Sequence, residues 1–251
     1  ESLAYGTGEV CEDYIFGTNC SGASRDGSIY IKSAGNGHKE YASSSLTTYG
    51  CGEDEGPLNV GYLSCTDTVA DARHSLPYTI VVGALNNEGV KSSYSTTGSA
   101  LWVSAPGGEY GIHSEHFYNS NKPYYNLPAM IAPDQSGCTE GYVGINSTKL
   151  LSSTLGYNDF EYPYGYSENS NCSYTSTFNG TSSAAPVVSG AVALLLEVNS
   201  NLTFRDIKHI LASTSEQVNE SNNSNAIDSH SLNGITQYEW VTNAAGYSYH
   251  N

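Results

Sequence analysis

The sequence predicts an α/β fold built around a mainly parallel sheet. Short β-branched and aromatic runs end in glycine-rich turns, the usual signature of strands. One of them, Tyr78-Thr79-Ile80-Val81-Val82-Gly83-Ala84, is apolar at every alternation, as in a strand covered on both faces. An apolar helix and then a capped amphipathic helix follow these strands. With 251 residues and no internal repeat, a single domain spanning 1–251 is expected, long enough to bury a real core.

Residues 1–27 are mixed and glycine-rich. Ser28-Ile29-Tyr30-Ile31-Lys32 reads as the first strand and runs into a turn at Ser33-Ala34-Gly35-Asn36-Gly37. Residues 38–76 read as polar loop, with an acidic knot at Glu53-Asp54-Glu55. After the buried strand at 78–84, Ala100-Leu101-Trp102-Val103-Ser104-Ala105 forms a third, closed by Pro106-Gly107-Gly108. Residues 110–178 are rich in Tyr, Asn and Ser and show little periodicity; stretches of that length are functional loops or insertions. Pro186–Val198 is nearly all apolar and reads as a central, buried helix. Thr203 caps the next helix, with Ile207, Ile210 and Leu211 on one face and Asp206 at the capping-box position.

Lys plus Arg number 9 against 25 Asp plus Glu, a net charge of −16. Such a surface repels nucleic acid and anionic membranes and attracts cations and basic peptides, although it serves solubility equally well. The six cysteines form no C-x-x-C motif and no histidine pair stands at zinc spacing, so disulfides and an oxidising, secretory compartment are expected. The obvious pairs are Cys11–Cys20, Cys51–Cys65 and Cys138–Cys172, though spacing alone leaves other pairings open. Sequons at Asn19, Asn146, Asn171, Asn201, Asn219 and Asn222 permit glycosylation in a glycosylating host. No stretch reads as a membrane span or a signal peptide, and both ends read as cuts in a longer precursor.

The chemistry concentrates in Asn179-Gly180-Thr181-Ser182, set just before the apolar helix. A helix N-terminus presents unpaired N–H groups and the positive end of the helix dipole. A serine there is either a cap or a nucleophile whose own N–H faces a developing oxyanion. Small neighbours, Gly180, Ala184 and Ala185, let a substrate backbone approach, and Pro186 is read as part of the first helical turn.

The longer stretch GTSSAAPVVSGAVALLLEVNSNLTFRDIKHIL resembles the serine segment of subtilisin-like serine proteases, and its LLLE-N-NLT-RD pattern resembles the kexin and furin branch. GSIYIKSAGNG resembles that family's oxyanion strand and turn, SLPYTIVVGAL its next core strand, WVSAPGGEYGIHS the strand and loop after it, and WVTNAAGYSYHN the segment near the end of the catalytic domain. Residues 110–165 stand outside the resemblance as an insertion. The resemblance implies a three-layer subtilisin-like fold and a serine endopeptidase. Ser182 would be the nucleophile and Asn36 the side-chain donor to the oxyanion, with Gly35 and Thr181 as their substrate-binding neighbours.

The family's aspartate and histidine motifs precede the oxyanion strand. Here too little chain lies upstream, and none of the seven histidines, His38, His74, His113, His116, His209, His230 and His250, is followed by glycine. The expectation is a C-terminal portion of the catalytic domain, inactive alone, with an upstream segment of the same precursor supplying base and orienting acid. The alternative is a binding or structural protein that has lost catalysis. Kexin-like specificity implies carboxylates for a basic substrate residue, placed at Asp71 with Asp67 as rival, and a structural Ca²⁺ with Glu109 and Asp54 as candidate ligands. The usual Asp-Gly-Tyr-Thr-Asn sequence of that branch is absent.

Overall fold

The computed structural model describes residues 29–38, 40–41, 49–50, 66–111, 127–143, 160, 167–218, 240–244 and 246–250. Its centre is a parallel three-stranded sheet of β1 (Tyr30–Ser33), β4 (Thr79–Leu85) and β5 (Leu101–Pro106), with β4 in the middle. Two short strands, β2 (Glu40–Tyr41) and β3 (Tyr49–Gly50), pair antiparallel between β1 and β4 in the chain. The apolar run at 79–84 is buried along its whole length, as a strand covered on both faces requires. Among the described residues β1 stands at one end of this sheet order.

Alternation along the strands sorts the side chains into two layers. Ile31, Ile80, Val82, Ala84, Val103 and Ala105 form one face. Onto it pack Ala184, Ala185, Val188 and Val192 of α1 (Thr181–Val198) and Ile207 of α2 (Phe204–Thr214). Val81 and Lys32 belong to the opposite alternation; β4 also contacts the short 3₁₀ turn Ala72–Ser75, which packs on its neighbour Thr68–Ala70.

α1 begins five residues before the start expected at Pro186 and is covered on one side only. Its other side leaves Val187 at 42%, Leu194 at 64% and Val198 at 88% exposure, which corrects the reading of a fully buried central helix. By length and composition α1 could cross a membrane, which the sequence reading did not anticipate. Its small residues Ala184 and Ala185 and the branched Val188 and Val192 are nonetheless seated on the sheet.

α2 carries the expected capping box: the Asp206 carboxylate accepts from the Thr203 N–H at 2.8 Å, and the Asp206 N–H donates to the Thr203 hydroxyl at 3.4 Å. Lys208 ties this helix to the sheet. Its Nζ donates to the carbonyls of Pro77 and Thr79, each at 3.1 Å, and lies 4.0 Å from the centre of the Trp102 ring. The Trp102 indole N–H in turn donates to the Lys208 carbonyl at 3.0 Å.

The region 110–178, read as irregular, contains an antiparallel ribbon of β6 (Met130–Pro133) and β7 (Tyr174–Phe178). The Cys138–Cys172 disulfide ties the far end of this ribbon, as expected from the cysteine spacing. Cys11, Cys20, Cys51 and Cys65 lie outside the described residues. A last ribbon pairs β8 (Trp240–Thr242) with β9 (Ser248–His250).

Ile207 is fully buried at the junction of α2, α1 and the sheet. Truncation there removes apolar contacts that the junction cannot refill. Ile207→Ala should cost about 2–5 kcal/mol in equilibrium unfolding by denaturant, while Ile210→Ala, on a partly exposed position, should cost less.

Candidate active site

The site is built where β1 ends and α1 begins. The ladder between β1 and β4 is extended by the Ala34 N–H, which donates to the Val82 carbonyl at 2.9 Å. Gly35 then turns the chain at φ +105°, a conformation that disfavours a side chain, and presents Asn36 at the surface. Thr181 holds both residues. Its hydroxyl accepts from the Gly35 N–H at 3.0 Å and donates to Asn36 Oδ1 at 2.9 Å. The Thr181 N–H donates to the same oxygen, also at 2.9 Å.

Two donors converging on one atom identify it as the amide oxygen. The Asn36 NH₂ must therefore face away from Thr181. It faces Gly180: a Cβ at that glycine would come within 3.0 Å of Asn36 Nδ2. Gly180 has φ +102° and ψ 164°, a region that is essentially glycine's alone. The Asn-Gly-Thr-Ser order is thus fixed by space and by backbone conformation together.

Gly180 is the N-cap of α1 and makes no side-chain capping bond. Thr181 and Ser182 are the first two helical residues, so Ser182 is not the cap that its setting also suggested. Ser182 is half-buried in the first turn, where backbone N–H groups point out of the helix end. Pro186 stands sixth in the helix rather than in its first turn. Having no N–H, it cannot serve the Ser182 carbonyl four residues back.

Beneath the turn lies a buried polar network that sequence reasoning missed. The Gly180 N–H donates to the Tyr94 hydroxyl at 2.8 Å, and that hydroxyl faces the carbonyls of Gly107 at 2.9 Å and Gly108 at 2.7 Å. The Ser183 hydroxyl lies 2.9 Å from the Gly107 carbonyl and 2.7 Å from the Gly180 carbonyl. Burial pushes the Tyr94 phenol up to about 12, so it remains a neutral donor across the ordinary pH range. The one sequence signal was the run Ser92-Ser93-Tyr94-Ser95-Thr96, unusually polar for a segment that turns out to be buried throughout.

The candidate carboxylates fall elsewhere. Glu109 is fully buried, and its two oxygens accept from the Ser93 N–H at 2.7 Å and the Ser93 hydroxyl at 2.8 Å. Through Ser93 it fastens the Ser92–Thr96 loop. Asp71 binds the Arg73 guanidinium through Nε at 2.9 Å and Nη2 at 2.8 Å and the Lys32 ammonium at 3.0 Å. The Arg73 pairing holds its carboxyl well below the usual carboxylate range. A carboxylate already shared by two cations has little charge to offer a basic substrate residue. Asp67 is exposed and caps the first 3₁₀ turn through the Val69 N–H at 2.9 Å. Asp54 lies outside the described residues. Among the described residues no group of three or more His, Cys, Asp or Glu side chains could hold a metal ion.

His74 is buried beside this pair, with Nδ1 2.7 Å from the Thr68 carbonyl and Nε2 4.0 Å from the Asp71 carboxylate. Burial lowers its pKa. As pH falls through about 6.5, the unfolded chain therefore takes up a proton before the folded one does, and stability declines down to the lower folded value. Asp71 acts in a separate, more acidic window. Its contribution is present above about pH 4 and is lost as pH falls toward its depressed folded value. His74→Asn should flatten the fall in melting temperature between pH 7 and pH 5; an unchanged slope would place the acid sensitivity elsewhere.

With this geometry in hand, comparison with known proteins is direct. The Peptidase_S8 family model, described as the subtilase family, matches residues 2–231. The Aeromonas extracellular serine protease of Aeromonas sobria is 33% identical over 225 residues, covering 88% of this chain and 32% of that protein. The crystal structure of the serine protease of Aeromonas sobria superposes with a TM-score of 0.67 at 30% identity, covering 90% of this chain and 34% of that one. A calcium-dependent protease from a Nostoc species is 30% identical over 148 residues, covering 59% of this chain and 18% of that protein. Furin-1 of Xenopus laevis is 35% identical over 72 residues, covering 29% of this chain and 7% of that protein. The chain thus spans about a third of the length of the Aeromonas sobria protease, and across that span its sequence and its subtilisin-like fold agree: it belongs to the subtilase family.

Proposed function

We propose that this chain carries the nucleophile and oxyanion half of a secreted serine endopeptidase. The observation behind this reading is the Asn36 side chain. Thr181 takes its oxygen with two hydrogen bonds and so turns its NH₂ toward the start of α1. In the proposed reaction Ser182 Oγ attacks the scissile carbonyl carbon as a base removes its proton. The carbonyl oxygen, now negative, is held by Asn36 Nδ2 and the Ser182 N–H. The proton then passes to the leaving amine, and water releases the acyl group by the same steps in reverse order of partners. Gly35 and Thr181 form the wall along which the substrate backbone lies.

The base and its orienting aspartate come, in this reading, from an upstream segment of the same precursor. Supporting it are the share of the relatives' length that this chain spans and the engagement of His74 and His209, which bond Thr68 and Tyr247. The exposed side of α1 is a surface that such a segment would cover.

Membership of the kexin-like branch rests on the LLLE-N-NLT-RD stretch and the partial match to furin-1. Cleavage after basic residues would fall to Asp67, the exposed carboxylate of its segment, and fits the net charge of −16. A structural Ca²⁺ is proposed from the Nostoc relative's description, with Glu109 and Asp54 as the candidate ligands. Secretion follows the extracellular description of the Aeromonas protein and the Cys138–Cys172 disulfide.

A fluorophosphonate probe added to the full-length protein should form one adduct that peptide mapping places on Ser182, absent in Ser182→Ala. No adduct at Ser182 in the intact protein would sink the reading. Asn36→Leu should lower kcat by about 10²–10³ with KM little changed, since it removes a donor used chiefly in the transition state. Chelation of calcium from the full-length protein should lower its melting temperature; an unchanged temperature removes the ion from the proposal.

A further inference from the structure

The two peptides that flank the Gly180 Cα have to keep one orientation relative to each other. Gly180 sits in a glycine-only conformation at φ +102°, and its carbonyl receives both the Ser183 N–H at 3.0 Å and the Ser183 hydroxyl at 2.7 Å. On the other side, the Gly180 N–H is taken by the Tyr94 hydroxyl at 2.8 Å. A change in the Gly180 dihedrals that join these two planes would move the Thr181 N–H off Asn36 Oδ1, and with it the asparagine's donor and the first turn carrying Ser182. We propose that Tyr94 is a positioning residue for catalysis: its buried hydroxyl, lodged against the Gly107 and Gly108 carbonyls, fixes Gly180 and so holds Asn36 and Ser182 in register.

Each contact in this chain is placed by the fold. Tyr94 is 6% exposed, and its ring meets Tyr110 edge-on at 6.0 Å. The loop carrying it is fastened at Ser93 by the fully buried Glu109 carboxylate, and at Ser92 by a hydroxyl that donates to the Gly108 carbonyl at 2.8 Å. A hydroxyl at this point is both acceptor and donor, which no phenylalanine supplies. Its removal would strand the Gly180 N–H and loosen two buried carbonyls, groups that resist burial without partners. Gly107 has no room to compensate, since a Cβ there would meet the Gly180 carbonyl at 3.0 Å and the Ala84 Cβ at 2.6 Å.

The inference rests on the reading of Ser182 as nucleophile, and the two are tested apart in the full-length protein. Wild-type labelling at Ser182 by a fluorophosphonate establishes the first. Given that, Tyr94→Phe should slow labelling and reduce kcat by about tenfold or more, with KM within about twofold, because it disturbs the reacting geometry rather than substrate binding. Ser95→Ala, which loosens the same loop from the Ala84 N–H (3.0 Å) without removing a partner of the Tyr94 hydroxyl, should label at the wild-type rate. Labelling of Tyr94→Phe at the wild-type rate, or equal slowing by Ser95→Ala, overturns the proposal. Should Tyr94→Phe fail to fold, a fluorinated tyrosine placed at 94 answers the same question. Its labelling rate relative to wild type should fall as the fluorophenol ionises and ceases to donate. A constant ratio across that pH range counts against the role assigned here.

Discussion

Everything at the centre of this molecule turns on two hydrogen bonds from one threonine to one amide oxygen. Thr181 reaches across from the start of α1 to the end of β1, which lie 145 residues apart in the chain, and closes the loop between them. A neutral pair of this kind is modest in energy, on the order of 1 kcal/mol each. Its value is directional. An asparagine side chain has two nearly identical ends, and only the donor end can stabilise an oxyanion. By occupying the acceptor end, Thr181 selects the orientation in advance, so in the proposed reaction no reorganisation of the amide would be required. The parallel sheet brings the two segments together, and the all-glycine conformation of Gly180 gives Asn36 the space to turn.

Below that contact the fold makes a second commitment. Ser92, Ser93, Tyr94, Ser95 and Thr96 are all buried, and Glu109 is buried with them. A charge withdrawn from water is costly unless hydrogen bonds replace the solvent, and Ser93 supplies two of those bonds. Networks of this kind specify one arrangement because any alternative leaves polar groups stranded. The loops on either side of β5 are thereby locked to each other and to the helix start. The carboxylates on the far side of the sheet follow a different logic. Asp71 is matched by Arg73 and Lys32 near the surface, where it organises its own turn.

Much of this was legible in the sequence, and the reasons are physical. The strand at 79–85 announced itself because burial on both faces leaves an unbroken apolar run. The cap of α2 was readable because Thr203 and Asp206 act within three residues of each other. Asn36 and Ser182 could be paired only through family resemblance, since nothing local ties residues so far apart. The start of α1 was misjudged because its first turn, Thr181-Ser182-Ser183, is polar and reads as a turn. Its coverage was overestimated from composition, which counts apolar residues without knowing which face meets the sheet. Tyr94 and the Ser93 contacts of Glu109 stayed hidden for a related reason. A buried tyrosine hydroxyl or carboxylate is defined by partners 16 or 86 residues away, and periodicity does not register such partners.

The seat of Lys208 on Trp102 has a use of its own. Indole emission responds to a cation held over the ring and to hydrogen bonding at its nitrogen, and Trp102 experiences both through a single residue of α2. It is one of two tryptophans in the chain, and the other, Trp240, stands in the separate β8–β9 ribbon. The protein thus carries a built-in optical gauge at the seam between its last major helix and its sheet. When α2 lifts, the ammonium leaves the ring and the indole loses its acceptor in the same movement. Local loosening of that seam can then be seen in the light this residue emits, separately from loss of the whole fold.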